Sequence, residues 1–224
     1  MKIPNLIIIG TGETARLAYE YFTHDSSYDV VAFSVSRSFL TAPLFCSLPV
    51  VALEDLEHQF SPGDHHVFVA LGSGHLNRDR ATLFTLMKSK GFTCASYVSS
   101  RAFVWHDVQM GENCFILENN VIQSGCAIGN NVTLWSGNHV GHLSQISDHC
   151  FISSHVVISG NVQVGSYCFI GVNAAIADHV QIASDNLIGL ATVVNKSTEP
   201  DSIYTGNPAI KSRVSSKKFS KVRE

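Results

Sequence analysis

The sequence has no apolar run near the roughly 18 residues that a membrane span needs. The longest early run, Leu6–Ile9, stops at Gly10 and is too short for the core of a secretory leader. Charge is also scarce. Asp, Glu, Lys and Arg make up 15% of the chain and leave a net charge of −3, which argues against a global electrostatic grip on nucleic acid. No C-x-x-C pair and no Cys/His ligand spacing occurs among the six cysteines, so no metal centre is expected. Without a leader, the cysteines read as reduced thiols and the expected location is cytoplasmic, with no membrane or nucleic-acid partner. Low charge combined with 45% hydrophobic residues excludes a disordered chain and leaves ample material for a core. A length of 224 residues suits one or two domains.

The second half contains a period. From Val98, every sixth residue through Val194 is aliphatic or Met, seventeen positions without an insertion. Six fits neither the 3.6-residue helix nor the two-residue strand. It is the mark of a parallel β-helix, in which each unit supplies a short strand and a turn and three units close one triangular coil. No coil buries its own core, so stability comes from stacking residues eighteen apart. Gly follows the aliphatic at 111, 129, 141, 165, 171 and 189, where a tight backbone bend is expected. Cys114, Cys126, Cys150 and Cys168 share the phase of Val108, Val132, Val156, Val162 and Val180 and read as small core packers.

Residues 1–97 alternate strand and helix patterns: strands at Leu6–Gly10, Tyr28–Ser36, Leu48–Leu53, His65–Gly72 and Phe92–Val98, and helices at Glu13–His24 and Leu76–Lys90. They predict a small parallel α/β sheet, with Pro49 marking an edge strand. Gly10-Thr11-Gly12-Glu13-Thr14-Ala15 matches G-x-G-x-x-A between the first strand and helix, where backbone amides can approach a phosphate. A nicotinamide dinucleotide site also needs an acid after the second strand; Phe33–Arg37 offers none, so that reading is set aside. A nucleotide diphosphate held by the Gly turn with Ser36 and Arg37 remains, as does a purely packing role for the glycines. A second Gly turn, Gly72-Ser73-Gly74-His75, follows the fourth strand and would lie at the same ligand-binding edge. His75, Asn77 and Arg78 could reach such a ligand; equally, Asn77, Arg78, Asp79 and Arg80 read as an ordinary solvated helix start.

Together the halves resemble bacterial sugar acyltransferases of the sialic acid O-acetyltransferase and bacillosamine N-acetyltransferase type. The matching stretches are Gly10–Ala15, Gly72–Arg80, Gly141–Ile146, Ser159–Val162, Phe169–Asn173 and Tyr204–Ala209, so the resemblance covers about residues 4–211. It implies a Rossmann-like domain at 1–97 that holds a nucleotide-linked sugar, with Gly10, Thr11, Gly12, Glu13, Ser36, Arg37, Gly72 and Ser73 around it. It also implies a left-handed β-helix acyltransferase domain at 98–210, followed by a basic tail at 211–224. The implied co-substrate is acetyl-CoA, the implied assembly a homotrimer, and the implied setting surface polysaccharide biosynthesis.

Acyl transfer needs a base for the acceptor's proton and a donor for the tetrahedral oxyanion. Histidine is the natural base near neutral pH. By resemblance the base is His142. Gly160 lies eighteen residues on, so one coil away, where its N–H can face the thioester oxygen. Relatives carry an acid directly after this histidine and some a second histidine nine residues on; here those positions are Leu143 and Phe151. Asp148 is the candidate orienting acid, although six residues on puts it at the next corner. His149 and His155 are alternatives for the second histidine. Coenzyme contacts are expected at Gly160, Asn173, Gly189 and Lys211. The expected reaction is direct acetyl transfer to the amine of a nucleotide-linked amino-deoxy sugar. A sugar hydroxyl acceptor, another acyl donor, or a non-catalytic nucleotide-sugar-binding trimer are the alternatives.

Overall fold

The computed structural model describes residues 5–223. The chain divides into two compact units, one running through Gly72 with Thr82–Tyr97, the other joining Ser73–Ala81 to the chain from Val98 on. The short segment Ser73–Ala81 therefore does not go with the rest of residues 1–97, and its side chains supply the reason below. Glu224, the end of the expected basic tail, lies outside the described residues. Among the described residues no helix is long and apolar enough to cross a membrane.

In the first unit the order is β1 (Asn5–Ile9), α1 (Glu13–His24), β2 (Asp29–Val35), β3 (Leu44–Phe45), β4 (Leu48–Ala52), α2 (Leu56–Gln59), β5 (His65–Val69), α3 (Arg78–Ser89) from Thr82 on, and β6 (Thr93–Cys94). The sheet runs β3-β4-β2-β1-β5-β6. It is parallel apart from the β3–β4 hairpin. The run Leu6–Ile9 is continuous because β1 is central and buried on both faces. The edge expected at Pro49 is displaced by one strand. β4 pairs with β2 on one side and β3 on the other, with Pro49 opposite Leu44, so the two-residue β3 is the edge. α3 starts at Arg78 rather than at Leu76. His75, Leu76 and Asn77 have φ of 46°, 53° and 66°, a left-handed turn that no α-helix can include.

The second unit is the expected left-handed parallel β-helix. Two-residue strands pair in parallel with strands eighteen residues on, as Phe115–Ile116 does with Thr133–Leu134. They form three faces. The first carries Phe115, Thr133, Phe151, Phe169 and Leu187; the second Phe103, Val121, His139, Val157, Ala175 and Val193; the third Gln109, Ala127, Gln145, Gln163 and Gln181. The period-six aliphatics from Ile116 to Val194 form one buried core with Cys114, Cys126, Cys150 and Cys168. Burial pushes the Cys126 and Cys168 thiols up from their ordinary value, which suits packing rather than nucleophilic work.

The glycines of the repeat have a different reason from the one expected. The left-handed residue of each turn lies two places later, at Asn113, Asn119, Asn131, Asn161 and Asn173 among others, and Asn tolerates that conformation. Gly111, Gly129, Gly141, Gly165 and Gly171 are needed because the next coil passes too close. A Cβ on Gly141 would lie 2.5 Å from Ser159 C and 2.7 Å from Gly160 N. Asn side chains also zip the coils together: Asn113 Nδ2 donates to Asn131 Oδ1 at 2.8 Å, and Asn131 Nδ2 to His149 Nδ1 at 3.0 Å.

That ladder uses His149 as an acceptor, so it requires the neutral ring, and burial lowers the His149 pKa from its ordinary 6.5. Above that value His149 is neutral in both folded and unfolded chains. As pH falls through it, the unfolded chain takes up the proton first, so stability drops until the depressed native value is reached. The melting temperature should fall as pH drops through the ordinary histidine value of 6.5, and His149→Asn should flatten part of that slope. An unchanged slope in the variant would remove His149 as its source.

Candidate active site

Most of the candidate site residues fall in three clusters. The first is on the edge between the second and third faces. His142, Gly160 and Asp178 follow one another at eighteen-residue steps, so they stack. Gly160 is buried, and a Cβ on it would lie 2.4 Å from His142 Cε1, 2.7 Å from His142 Nε2 and 3.0 Å from Asp178 Oδ1. The imidazole therefore lies directly over the glycine, with a carboxylate oxygen on the far side of the same spot. Gln123 Oε1 fixes the corner by accepting from the His142 N–H at 2.9 Å, and the His142 carbonyl accepts from Asn161 N–H at 2.9 Å. Among the described residues the Gly160 N–H donates to no acceptor, while its carbonyl accepts from His179.

Asp148 does not serve this corner. It sits on the next edge, where its Oδ1 accepts from the Asn130 N–H at 2.7 Å and its carboxylate lies beside the Asn130 amide. The acid that shares the His142 column is Asp178, which also pairs with His179 Nδ1 at 2.7 Å. Stacking at two coils' distance could have found Asp178 in the sequence, because the eighteen-residue step that gives Gly160 gives Asp178 when taken again.

The second cluster is a cavity of about 470 Å³ bordering the edge between the first and second faces. Its wall includes Leu76, Phe169, Val172, Leu190 and Phe219, and Gly171 and Gly189 leave part of it bare of side chains. Gly189 is thus where a coenzyme contact was expected. Asn173 is exposed on the same edge but does not line the cavity. Ser73, expected beside the sugar nucleotide, lines this cavity instead. Lys211 is engaged by Glu199, a pairing that raises its pKa.

Ser73–Ala81 is held by buried polar contacts rather than solvated. Asn77 is fully buried and its Nδ2 donates to Cys168 O at 3.2 Å. Arg80 is 3% exposed and donates to Thr133 Oγ1, to Asn131 O at 3.0 Å and to Cys150 O at 3.1 Å. Arg78 pairs with Asp185 at 2.5 Å, its guanidinium 3.7 Å from the Tyr167 ring centroid. These contacts correct the reading of Asn77, Arg78 and Arg80 as a solvated helix start, whereas Asp79 is exposed as that reading expects.

The third cluster belongs to the first unit. Gly10 has φ +126°, and a Cβ there would meet the Ala70 carbonyl at 3.0 Å, so glycine is required at that turn. Gly12 is the N-cap of α1, makes no side-chain cap bond, and is followed by Glu13 in the first turn. Thr11 lines a cavity of about 240 Å³ together with Phe39, Leu44, Phe45 and Val50. Ser36 caps the short 3-10 turn Arg37–Phe39. Gly72 lies against Thr14, a Cβ on it being 3.9 Å from Thr14 Oγ1. Arg37 is committed elsewhere: its guanidinium reaches both Asp55 oxygens at 2.8 Å and its N–H donates to Glu54. The cation beside the Gly turn is Arg16, 4.9 Å from the Phe45 centroid and without a carboxylate partner among the described residues.

With this geometry in hand, the likenesses to known proteins are informative. The model of the bacterial transferase hexapeptide family (six repeats) matches residues 107–142. No curated sequence matches the chain significantly. PerB from Caulobacter crescentus, solved in complex with CoA and GDP-perosamine, is 25% identical, with a TM-score of 0.84 over 94% of this chain and 98% of that one. The acetyltransferase domain of PglB from Neisseria gonorrhoeae is 22% identical, with a TM-score of 0.83 over 92% and 98% of the two chains. WeeI from Acinetobacter baumannii is 20% identical, with a TM-score of 0.72 over 92% and 98%. By repeat and by fold the chain is similar to the hexapeptide-repeat acyltransferases. Within that class its likeness is to the sugar acetyltransferases with an N-terminal α/β domain.

Proposed function

We propose that the protein transfers the acetyl group of acetyl-CoA directly to the amine of a nucleotide-linked amino-deoxy sugar, with His142 as general base. The observation that carries this reading is the His142 imidazole lying over Gly160 while the Gly160 N–H has no acceptor among the described residues. His142 takes the proton of the acceptor nitrogen as that nitrogen bonds to the thioester carbon. The Gly160 N–H donates to the oxygen that gains charge, a preorganised donor of the kind that lowers such barriers most. When the carbon–sulfur bond breaks, the imidazolium returns its proton to the departing thiolate. The likeness to PerB, which was solved with CoA and GDP-perosamine, supports both substrates.

The first-unit cavity beside Thr11 takes the nucleotide in this reading, and Arg16 rather than Arg37 is the cation for its phosphates. The β-helix works as a homotrimer. His142 and the 470 Å³ cavity lie on different edges of one prism, and a neighbouring copy is what brings the two edges together. The faces support this. The third presents Gln109, Gln145, Gln163 and Gln181 to water, whereas the second leaves Phe103 54% and Val157 45% exposed.

The deciding assay incubates the protein with acetyl-CoA and a panel of 4-amino-4,6-dideoxy nucleotide sugars and sialic acids, and follows free thiol. Turnover with the amines alone is the expected result. Turnover confined to hydroxyl acceptors would move the protein to O-acetylation. Bound CoA with no turnover on any acceptor would leave a binding module. Light scattering should give three times the chain mass.

A further inference from the structure

The C-terminal segment is anchored more firmly than a chain end needs to be. Helix α4 (Ser216–Phe219) is a single turn capped by Ser215, whose side chain accepts from Lys218 N. Ser216 is fully buried; its hydroxyl donates to Asp185 O and lies 3.0 Å from Asp201 Oδ1. Lys217 N donates to Asp201 Oδ1 at 2.7 Å, and Lys217 Nζ is 3.5 Å from Asp185. These bonds to the lower coils fix the next two residues, Phe219 and Ser220, in the wall of the 470 Å³ cavity. Phe219 nevertheless keeps 64% of its surface exposed. Its ring is positioned without being packed.

The chemistry around it is specific. The cavity wall is mainly apolar, with Phe169, Leu187 and Leu190 near the bare backbone of Gly171 and Gly189. Lys218 and Lys221 flank Phe219 and Ser220 in sequence, and neither has a carboxylate partner among the described residues. An exposed aromatic ring in the wall of an apolar cavity, with cations next to it in sequence, suits a flat heteroaromatic ring that carries phosphates.

We propose that residues 215–221 clamp the acyl donor: Phe219 stacks on the adenine of CoA, and Lys218 and Lys221 meet its phosphates. The proposal rests on the acetyl-CoA reading above and adds the residues that set affinity for the donor. Phe219 is a binding residue and takes no part in the chemistry.

The test uses the full chain and titrates CoA and dephospho-CoA calorimetrically into wild type, Phe219→Ala, Phe219→Trp and the double variant Lys218→Ala/Lys221→Ala. Base–aromatic stacking predicts a rise of about tenfold to a hundredfold in the CoA Kd for Phe219→Ala. Phe219→Trp should retain affinity. The KM for acetyl-CoA should rise with the Kd, while the KM for the nucleotide sugar stays at its wild-type value. The lysine variant should weaken CoA more than dephospho-CoA and reduce the salt dependence of binding. Equal CoA affinity in wild type and Phe219→Ala would overturn the clamp while leaving acyl transfer intact. A rise in the nucleotide-sugar KM instead would assign the cavity to the other substrate and also overturn it. Wild type that does not bind CoA at all would refute the acyl-transfer reading itself, and the clamp with it.

Discussion

His142→Ala should lower kcat by about 10²- to 10⁴-fold, the range that general-base catalysis contributes, and leave the melting temperature almost unchanged. The two halves of that expectation have separate grounds. The His142 side chain is exposed at its corner, and the corner is held by backbone atoms: its N–H to Gln123 and its carbonyl from Asn161. Alanine keeps both. What it removes is the imidazole stacked over Gly160, whose N–H has no acceptor among the described residues. A companion substitution separates base from geometry. Gly160→Ala leaves the imidazole in place chemically but puts a Cβ 2.4 Å from its Cε1 and 2.7 Å from its Nε2, so the ring must shift. A displacement of about 1 Å costs on the order of 10²-fold in rate. Both variants should retain CoA binding. Full activity in His142→Ala would move the base elsewhere, with His155 next: its ring sits over Gly137 in the same manner, Nδ1 2.5 Å from the position of a Cβ there.

The parts of this fold that could be read from the sequence are those fixed by a repeated local requirement. An inward aliphatic at every sixth residue is a condition for closing each coil, so the core from Ile116 to Val194 is visible in the sequence. The same lattice makes Gly160 the partner of His142, and it makes Asp148 a poor one, as its bonds to Asn130 bear out. The misread parts depend on meetings that no period encodes. Asn77 and Arg80 look solvated by residue type, and only their contacts with Thr133, Cys150 and Cys168 across the chain bury them. Arg37 looked free for a phosphate until Asp55, on the turn after β4, claimed it. The repeat glycines are visible in the sequence but the reason for them is not, because coil-to-coil distance cannot be read from a turn's composition.

Arg80 leads to the second large effect. Arg80→Met should destabilise the fold by about 3 kcal/mol, the scale of leaving buried acceptors unpaired. The guanidinium is 3% exposed, and burial pushes its pKa down to about 10, so it stays charged at neutral pH. Its partners are one hydroxyl and two carbonyls rather than a carboxylate. Removing the charge relieves a desolvation penalty. It also takes the donor from Asn131 O and Thr133 Oγ1 and one of two donors from Cys150 O, which keeps the Thr133 N–H at 3.0 Å, and in a buried site this loss is the larger effect. Arg80→Lys should rescue little, because an ammonium cannot reproduce the planar fork that serves all three. Arg78→Ala should cost less than Arg80→Met, since the Arg78 and Asp185 side chains are 25% and 16% exposed and water can take over part of their pairing. Urea unfolding of the three variants checks the order. A midpoint for Arg80→Met equal to wild type would show that Ser73–Ala81 is held by Leu76 and backbone contacts alone, and would take away the reason for assigning the segment to the β-helix.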